Sequence, residues 1–311
     1  MTPRPTVENR SVLVVGESLI DVVRDASGNE LEIVGGSPAN VAQGVARLGN
    51  PVRLATAIGR DDRGQRIASE LEYSKVQLDP GSWRLATTSS ATAVLEADGS
   101  AHYTFDIEWP PIPVPTVRAE RLLHIGSLGT YLHPGAESVI QAVERMSDHM
   151  LISFDPNIRP ALMGTHAVGV STTERLIGKA DVVKLSDEDA SWLYPALSID
   201  EVLNHLLELG VTIAAVTRGA SGSVLASRIA RAEIAAPAVR VRDTVGAGDS
   251  YTAALIDAIL RDPTILSNPD EGALRSGGTH AATAAALTVQ RNGAQLPTRS
   301  ELQRAIAAHA Q

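Results

Sequence analysis

The 311-residue chain contains no cysteine, which excludes disulfides, thiolate metal sites and a cysteine nucleophile. Aromatic residues make up only 3% of it, so a core has to be built from alanine, valine, leucine and isoleucine. No apolar run reaches the roughly 18 residues that a membrane-spanning helix needs. The opening MTPRPTVENR lacks an apolar signal core, and the sequence therefore predicts a soluble, cytoplasmic protein with no membrane partner. Basic residues are few: 27 Lys and Arg stand against 36 Asp and Glu, a formal net charge of -9. A nucleic-acid surface needs a basic face, so nucleic acid is excluded as a partner. Phosphate ligands are not excluded, because local backbone donors decide such sites. Three motifs are also missing. There is no G-x-x-x-x-G-K-[ST], no G-x-G-x-x-G after a strand and no H-E-x-x-H, which argues against P-loop kinases, dinucleotide dehydrogenases and zinc proteases.

What is present is an ordinary globular composition, 44% apolar and 20% charged, in a strongly alternating order. Apolar runs of strand length lie at 11–15, 52–58, 122–125, 150–154, 181–185 and 212–216. Helical patterns lie between them, at about 38–49, 62–74, 134–147, 172–178 and 199–209. This alternation predicts an α/β fold: a mostly parallel central sheet covered by helices on both faces. Two segments depart from it. Residues 91–108 read as strands around an Asp98-Gly99 turn, and residues 17–34 as a weaker pair around Ser27-Gly28-Asn29. Such hairpins predict a small separate β-sheet, a lid beyond the carboxyl ends of the parallel strands. Its edges offer a pairing surface to a second copy of the chain. We expect one domain over 1–311 with lid strands inserted at about 17–34 and 91–108.

The most informative segment is VRDTVGAGDSYTAAL at 241–255. Val239 and Val241 read as the end of a strand, and Tyr251, Ala254, Leu255, Ala258 and Ile259 recur at helical spacing. Gly246, Ala247 and Gly248 then mark a helix start, where unpaired N–H groups and the helix dipole attract an anion. Asp249 stands out there, because a carboxylate beside a phosphate is repulsive unless it serves a hydroxyl that is losing its proton. Phosphoryl transfer to an alcohol fits. So does a plain strand-to-helix turn with an Asp favoured by the dipole.

Other junctions carry the same ambiguity. Gly35-Gly36-Ser37-Pro38-Ala39-Asn40 reads as a helix start with Ser37 at the N-cap and Pro38 at N1. Asp21 lies just beyond the first strand, either holding vicinal hydroxyls or solvated in a turn. Asp155-Pro156-Asn157-Ile158-Arg159-Pro160 follows another strand, with Arg159 suited to a phosphate or polyol. Lys184-Leu185-Ser186-Asp187-Glu188-Asp189 runs from a strand into a helix capped by Ser186. Thr217 to Gly222 is a Gly turn, and residues 278–293 form an Ala-rich helix ending at Asn292-Gly293. His124, His133 and His280 have no metal-ligand spacing and read as solvated or structural.

Taken together, these strings resemble the PfkB (ribokinase-like) carbohydrate kinases. Asp243, Thr244, Gly246, Ala247, Gly248 and Asp249 match the DTxGAGD signature, and Gly35, Gly36 and Asn40 match an N-terminal GG-x-x-x-N. The resemblance implies a three-layer α/β/α sandwich with a small β-sheet lid. It also implies ATP, Mg2+ and transfer of the γ-phosphoryl group to a sugar hydroxyl. In that case Asp249 is the base, and Gly246, Ala247 and Gly248 stabilise the transferring charge. Asp21, Gly35, Gly36, Asn40 and Arg159 hold the sugar, while Lys184, Ser186, Thr217, Gly219, Gly222 and Asn292 serve the nucleotide. The family's N-x-x-E is replaced here by Ser186 and Asp189, which puts in question a magnesium role for Asp189. A potassium ion is implied near Asp243. GGSPANVA, DPNIRP and KLSDED are most similar to the fructokinase branch, so fructose is the expected substrate. A 2-keto-3-deoxygluconate or other ketose or sugar-acid kinase is the alternative, and a non-catalytic sugar- or nucleotide-binding protein the alternative of another class.

Overall fold

The structure, a computed structural model, describes residues 10–24, 28–95, 101–113 and 116–309. Fifteen strands fall into three sheets among these residues. The large sheet contains β1 (Val12–Val15), β4 (Val52–Ala55), β6 (Val76–Leu78), β10 (Leu122–Gly126), β11 (Leu151–Asp155), β12 (Val182–Ser186), β13 (Ile213–Thr217), β14 (Ser223–Ala226) and β15 (Arg231–Ile234). Its order is β15-β14-β13-β12-β11-β10-β1-β4-β6. From β13 to β6 all neighbours are parallel, and β14 and β15 close one edge as antiparallel strands. Each apolar run predicted from the sequence forms one of these parallel strands. Val239 and Val241 do not: the chain there has no strand, and Arg242 and Asp243 donate backbone N–H groups to the Val289 carbonyl instead. The strands before the signature helix are β14 and β15, which end at Ile234.

Both sheet faces are buried because successive strand residues supply different cores. Val12 and Val14 pack on one side, Leu13 and Val15 on the other. The first side is covered by α1 (Ser37–Arg47), α2 (Asp62–Tyr73), α7 (Ala247–Arg261), α8 (Thr264–Ser267), α9 (Glu271–Thr288) and α10 (Arg299–His309). The second carries α3 (Ala136–Met146), α4 (His166–Ile177), α5 (Asp187–Leu193) and α6 (Ile199–Glu208). The Ala-rich helix thus stops at Thr288, and Asn292-Gly293 belong to the turn after it.

The second sheet has the order β3-β2-β8-β9, made of β2 (Leu19–Arg24), β3 (Glu30–Gly35), β8 (Ser90–Leu95) and β9 (Ala101–Asp106). Both expected antiparallel pairs form, β2 with β3 and β8 with β9, and β2 joins β8 in parallel. Ser27, Asp98 and Gly99 of the expected turns lie outside the described residues. A short parallel pair, β5 (Ile58–Gly59) and β7 (Trp83–Leu85), completes the set. The chain enters the small sheet from the end of β1 and leaves it through Gly35 and Gly36 into α1. The strand order reverses beside β1, which has β4 on one flank and β10 on the other. Ligands of open α/β sheets bind at such a switch point. Among the described residues, no helix is long and apolar enough to cross a membrane.

The helical layer over the first face is pinned by one carboxylate. Asp257 is fully buried; its Oδ1 accepts from Asn50 at 2.7 Å, Arg299 at 2.8 Å and Arg261 at 2.9 Å, and its Oδ2 lies 3.0 Å from His280 Nε2. Burial alone would raise its pKa, but His280, Asn50, Arg299 and Arg261 outweigh it and pull the group from 3.8 down to about 2. A depressed native value contributes stability above the unfolded pKa, and that stability is lost as pH falls through the native one. The contribution here is about 2 kcal/mol, present above about pH 4 and lost towards pH 2. Asp257→Asn leaves Arg261, Arg299 and His280 without their carboxylate. It should cost about 3–5 kcal/mol in urea unfolding and flatten the pH dependence between 4 and 2, roughly as for other broken buried pairs. A cost under about 1 kcal/mol would show that the layer does not depend on this hub.

Candidate active site

Gly246 begins the site. Its φ of 75° is left-handed, which glycine adopts without strain, and a Cβ there would lie 2.6 Å from that of Ala294. The turn delivers the chain into α7 with Gly246 as N-cap. The N–H groups of Gly246 and Gly248 have no acceptor among the described residues. The Ala247 N–H does have one, the Thr244 carbonyl at 3.2 Å. Of the three donors expected to face an anion, two are therefore free, because the third closes the turn itself. Asp243 clasps this loop, accepting from Val245 N at 3.0 Å and from Gly293 N at 2.8 Å. That fastens the turn to the segment carrying Asn292, which is exposed.

Asp249, in the first turn of α7, is buried and meets the N-terminal signature directly. Ser37 Oγ donates to its Oδ1 at 2.6 Å and Asn40 Nδ2 to its Oδ2 at 2.8 Å. Ser37 is thus not an N-cap. Gly36 takes that position at φ 100°, a conformation that pressing against the Glu17 carbonyl also reserves for glycine. This frees the Ser37 hydroxyl for Asp249. Burial raises the Asp249 pKa; the two hydrogen bonds oppose the rise, Asp155 adds to it and Lys184 opposes it.

Asp21 is brought to the same end by β2, packed so that a Cβ on Gly35 would sit 2.1 Å from its Oδ2. Its pKa is raised to about 6, first by burial and further by Asp249, against the opposing Arg159 guanidinium. Arg159 is exposed and donates to the Ile158 carbonyl at 2.9 Å. Glu17 was not singled out in the sequence. It is buried, accepts from Gly129 N at 2.8 Å and is raised by burial against the Arg159 charge. The pattern of one carboxylate four residues before another in GESLID was its only signal.

The residues expected around a nucleotide separate into two groups. Lys184 lies under the turn, its Nζ 3.2 Å from where a Gly248 Cβ would stand, and it is held by Asp155 Oδ2 at 2.8 Å. Burial alone would lower its pKa, but Asp155, Asp189 and Asp249 outweigh that and raise it. Ser186 and Thr217 are neighbours across β12 and β13, and the Thr217 hydroxyl donates to the Leu185 carbonyl at 3.3 Å. Gly219 and Gly222 form the turn between β13 and β14. Ser186 caps α5 as expected, within a capping box completed by Asp189. Asp189 Oδ2 accepts from Ser186 N at 2.9 Å and Oδ1 from Ile158 N at 2.8 Å. Asp189 and Asp243 are therefore loop clasps. Among the described residues no three His, Asp or Glu side chains gather into a metal cage. His124 is buried on Ser153 at 3.2 Å, and His280 is structural at Asp257.

The site therefore holds an anion-ready turn, a buried carboxylate beside it and two further carboxylates, Asp21 and Glu17, near the start of the small sheet. Comparison with known proteins finds relatives over nearly the whole chain. A fructokinase of Salmonella typhimurium is 31% identical over 95% of this chain and 99% of its own. A fructokinase of Xylella fastidiosa, solved with bound ATP, superposes with a TM-score of 0.84 at 25% identity, covering 97% of this chain and 100% of the other. A Vibrio cholerae fructokinase, solved with fructose, ADP and a calcium ion, gives 0.82 at 26% identity over 96% and 99%. The description "pfkB family carbohydrate kinase" matches residues 9–301, and the chain belongs to that family.

Proposed function

We propose that this protein is an ATP-dependent fructokinase that transfers the γ-phosphoryl group of ATP to a hydroxyl of fructose. One observation carries the reading: the Asp249 carboxylate is hydrogen-bonded by Ser37 and Asn40, so the end that suits a phosphoryl group and the end that suits a polyol share one side chain. Asp249 takes the proton from the attacking hydroxyl, and the free N–H groups of Gly246 and Gly248 receive charge from the transferring group. Since phosphoryl transfer is mostly positioning and electrostatics, a rigid turn beside a fixed base supplies what the reaction needs. Asp21, Asn40, Gly35 and Gly36 line the sugar recess, with Arg159 at its exposed rim. The fructokinase relatives support fructose over sugar acids, and so does the excess of carboxylates at this end.

Thr217, Gly219, Gly222, Ser186 and Asn292 lie along the nucleotide side in this reading. Magnesium would come with the nucleotide, held chiefly by phosphates and water, and would neutralise charge on the transferring phosphate. Potassium near Asp243 is part of the proposal through loop carbonyls rather than the committed carboxylate. We read the chain as one ribokinase-like α/β domain whose small sheet is a lid that excludes water. Leu31 and Phe105 are exposed on that sheet, which supports a homodimer formed through it. The setting in this reading is the cytoplasm.

A coupled ADP-release assay over fructose, 2-keto-3-deoxygluconate, ribose, tagatose and adenosine tests the proposal. Fructose should give the highest kcat/KM, and ATP turnover stimulated by none of them would refute it. Asp249→Asn should lower kcat by about 10²–10⁴-fold while fructose binding changes little; near-normal turnover would remove Asp249 as the base. Asp21 is ionised only above about pH 6, so the KM for fructose should climb as pH falls through that value, by about tenfold per further unit. Asp21→Asn should abolish that dependence, and a flat KM in the parent would exclude Asp21 as a sugar ligand.

A further inference from the structure

The sheet face under α7 is aliphatic at Val12, Val14, Leu122, Leu151, Val182, Ile213 and Ala215. Four positions on that same face break the pattern: His124, Ser153, Asp155 and Lys184, all buried. Nothing in the transfer step uses Asp155, and a buried carboxylate needs a reason. Its Oδ2 accepts from Thr252 Oγ1 at 2.8 Å and from Lys184 Nζ at 2.8 Å, while its Oδ1 is buried with no partner in the structure. Thr252 lies one turn beyond Asp249 on α7, and Lys184 Nζ lies 3.2 Å from where a Cβ on Gly248 would stand.

We propose that Asp155 is a positioning residue for phosphoryl transfer. Through Thr252 it fixes the first turns of α7, and through Lys184 it holds a cation beneath the Gly246–Gly248 turn. The inference rests on the fructokinase reading. It differs from the motif roles considered above, in which Arg159 was the working residue of DPNIRP. The ion pair lets a positive charge stand under the anion turn without leaving the Asp249 base exposed to that charge alone. The groups that bear on Asp249 are Ser37 and Asn40 from α1, Asp21 from β2, Asp155 from β11 and Lys184 from β12. Asp189 also faces Lys184, and with Asp249 it too favours the charged ammonium against burial. His124, pushed down to about 3 first by burial and then by Lys184, is neutral and adds no charge.

Asp155→Asn keeps the shape and removes the charge. It takes away one anion near Asp249 and leaves Lys184 biased towards it, so both changes favour the ionised base. Carbon-13 NMR of the resting protein, with the Asp249 carboxyl assigned by Asp249→Asn, should show its titration falling by about half a pH unit or more. In steady-state kinetics kcat should fall by about tenfold or more, with the fructose KM within about threefold. Thr252→Val leaves every charge in place and should lower kcat by about threefold to tenfold without moving the titration. An unmoved Asp249 titration in Asp155→Asn overturns the proposal, because a merely structural role would lower stability and leave the base alone. If Asp155→Asn does not fold, Thr252→Val decides, and a kcat within about twofold of the parent overturns the clamp. A parent enzyme that phosphorylates no sugar would sink the functional reading, while the NMR titration would still judge the inference.

Discussion

A single buried carboxylate joins two distant parts of the chain, and the rest of the site is arranged around that junction. Asp249 receives Ser37 and Asn40 across more than 200 residues of sequence, so α1 and α7 must lie close and in fixed register. Gly44 makes this approach available: a Cβ there would come within 2.6 Å of the Ala253 Cβ and 2.4 Å of Leu296 Cδ2. A glycine inside a helix costs about 1 kcal/mol relative to alanine, and here the close contact requires it. The far end of the same helix pair is tied at Asp257, where Asn50, just after α1, donates to the α7 carboxylate. The site is thus held at both ends by buried acids with different work. One is fully satisfied and stays ionised. The other keeps its affinity for a proton.

That difference follows from their surroundings. Asp257 meets two arginines, His280 and Asn50 and is pulled to about 2, whereas Asp249 is raised by burial and has Asp155 and Lys184 offsetting one another nearby. A general base needs enough proton affinity to accept a hydroxyl proton. Asp21 carries the same tendency, since burial and the Asp249 charge exceed what Arg159 returns. Both carboxylates at this end of the sheet are thus raised by burial, in contrast to Asp257.

Much of this architecture was legible because it depends on local periodicity. Apolar runs such as those at 122–125 and 181–185 could only be doubly covered strands, and Asp98-Gly99 or Ser27-Gly28-Asn29 between short apolar segments called for hairpins. The GAGD turn was legible through its glycines. Long-range side-chain pairing was not. Ser37 fits an N-cap as well as it fits an Asp249 donor, and only the left-handed Gly36 decides between them. Asp155, Thr252 and Lys184 are spread over nearly a hundred positions, and no pattern of spacing joins them. Val239 and Val241 alternate like a strand yet make no ladder, and the N–H groups that follow them, at Arg242 and Asp243, go to the Val289 carbonyl.

The most direct measurement of the central claim is a crystal structure with fructose and a non-hydrolysable ATP analogue bound together. The account expects one fructose hydroxyl within about 3 Å of an Asp249 oxygen, the terminal phosphate against the Gly246 and Gly248 N–H groups, and other sugar hydroxyls on Asp21 and Asn40. A sugar bound away from Asp249, or a phosphate seated elsewhere than the Gly246–Gly248 turn, would contradict it.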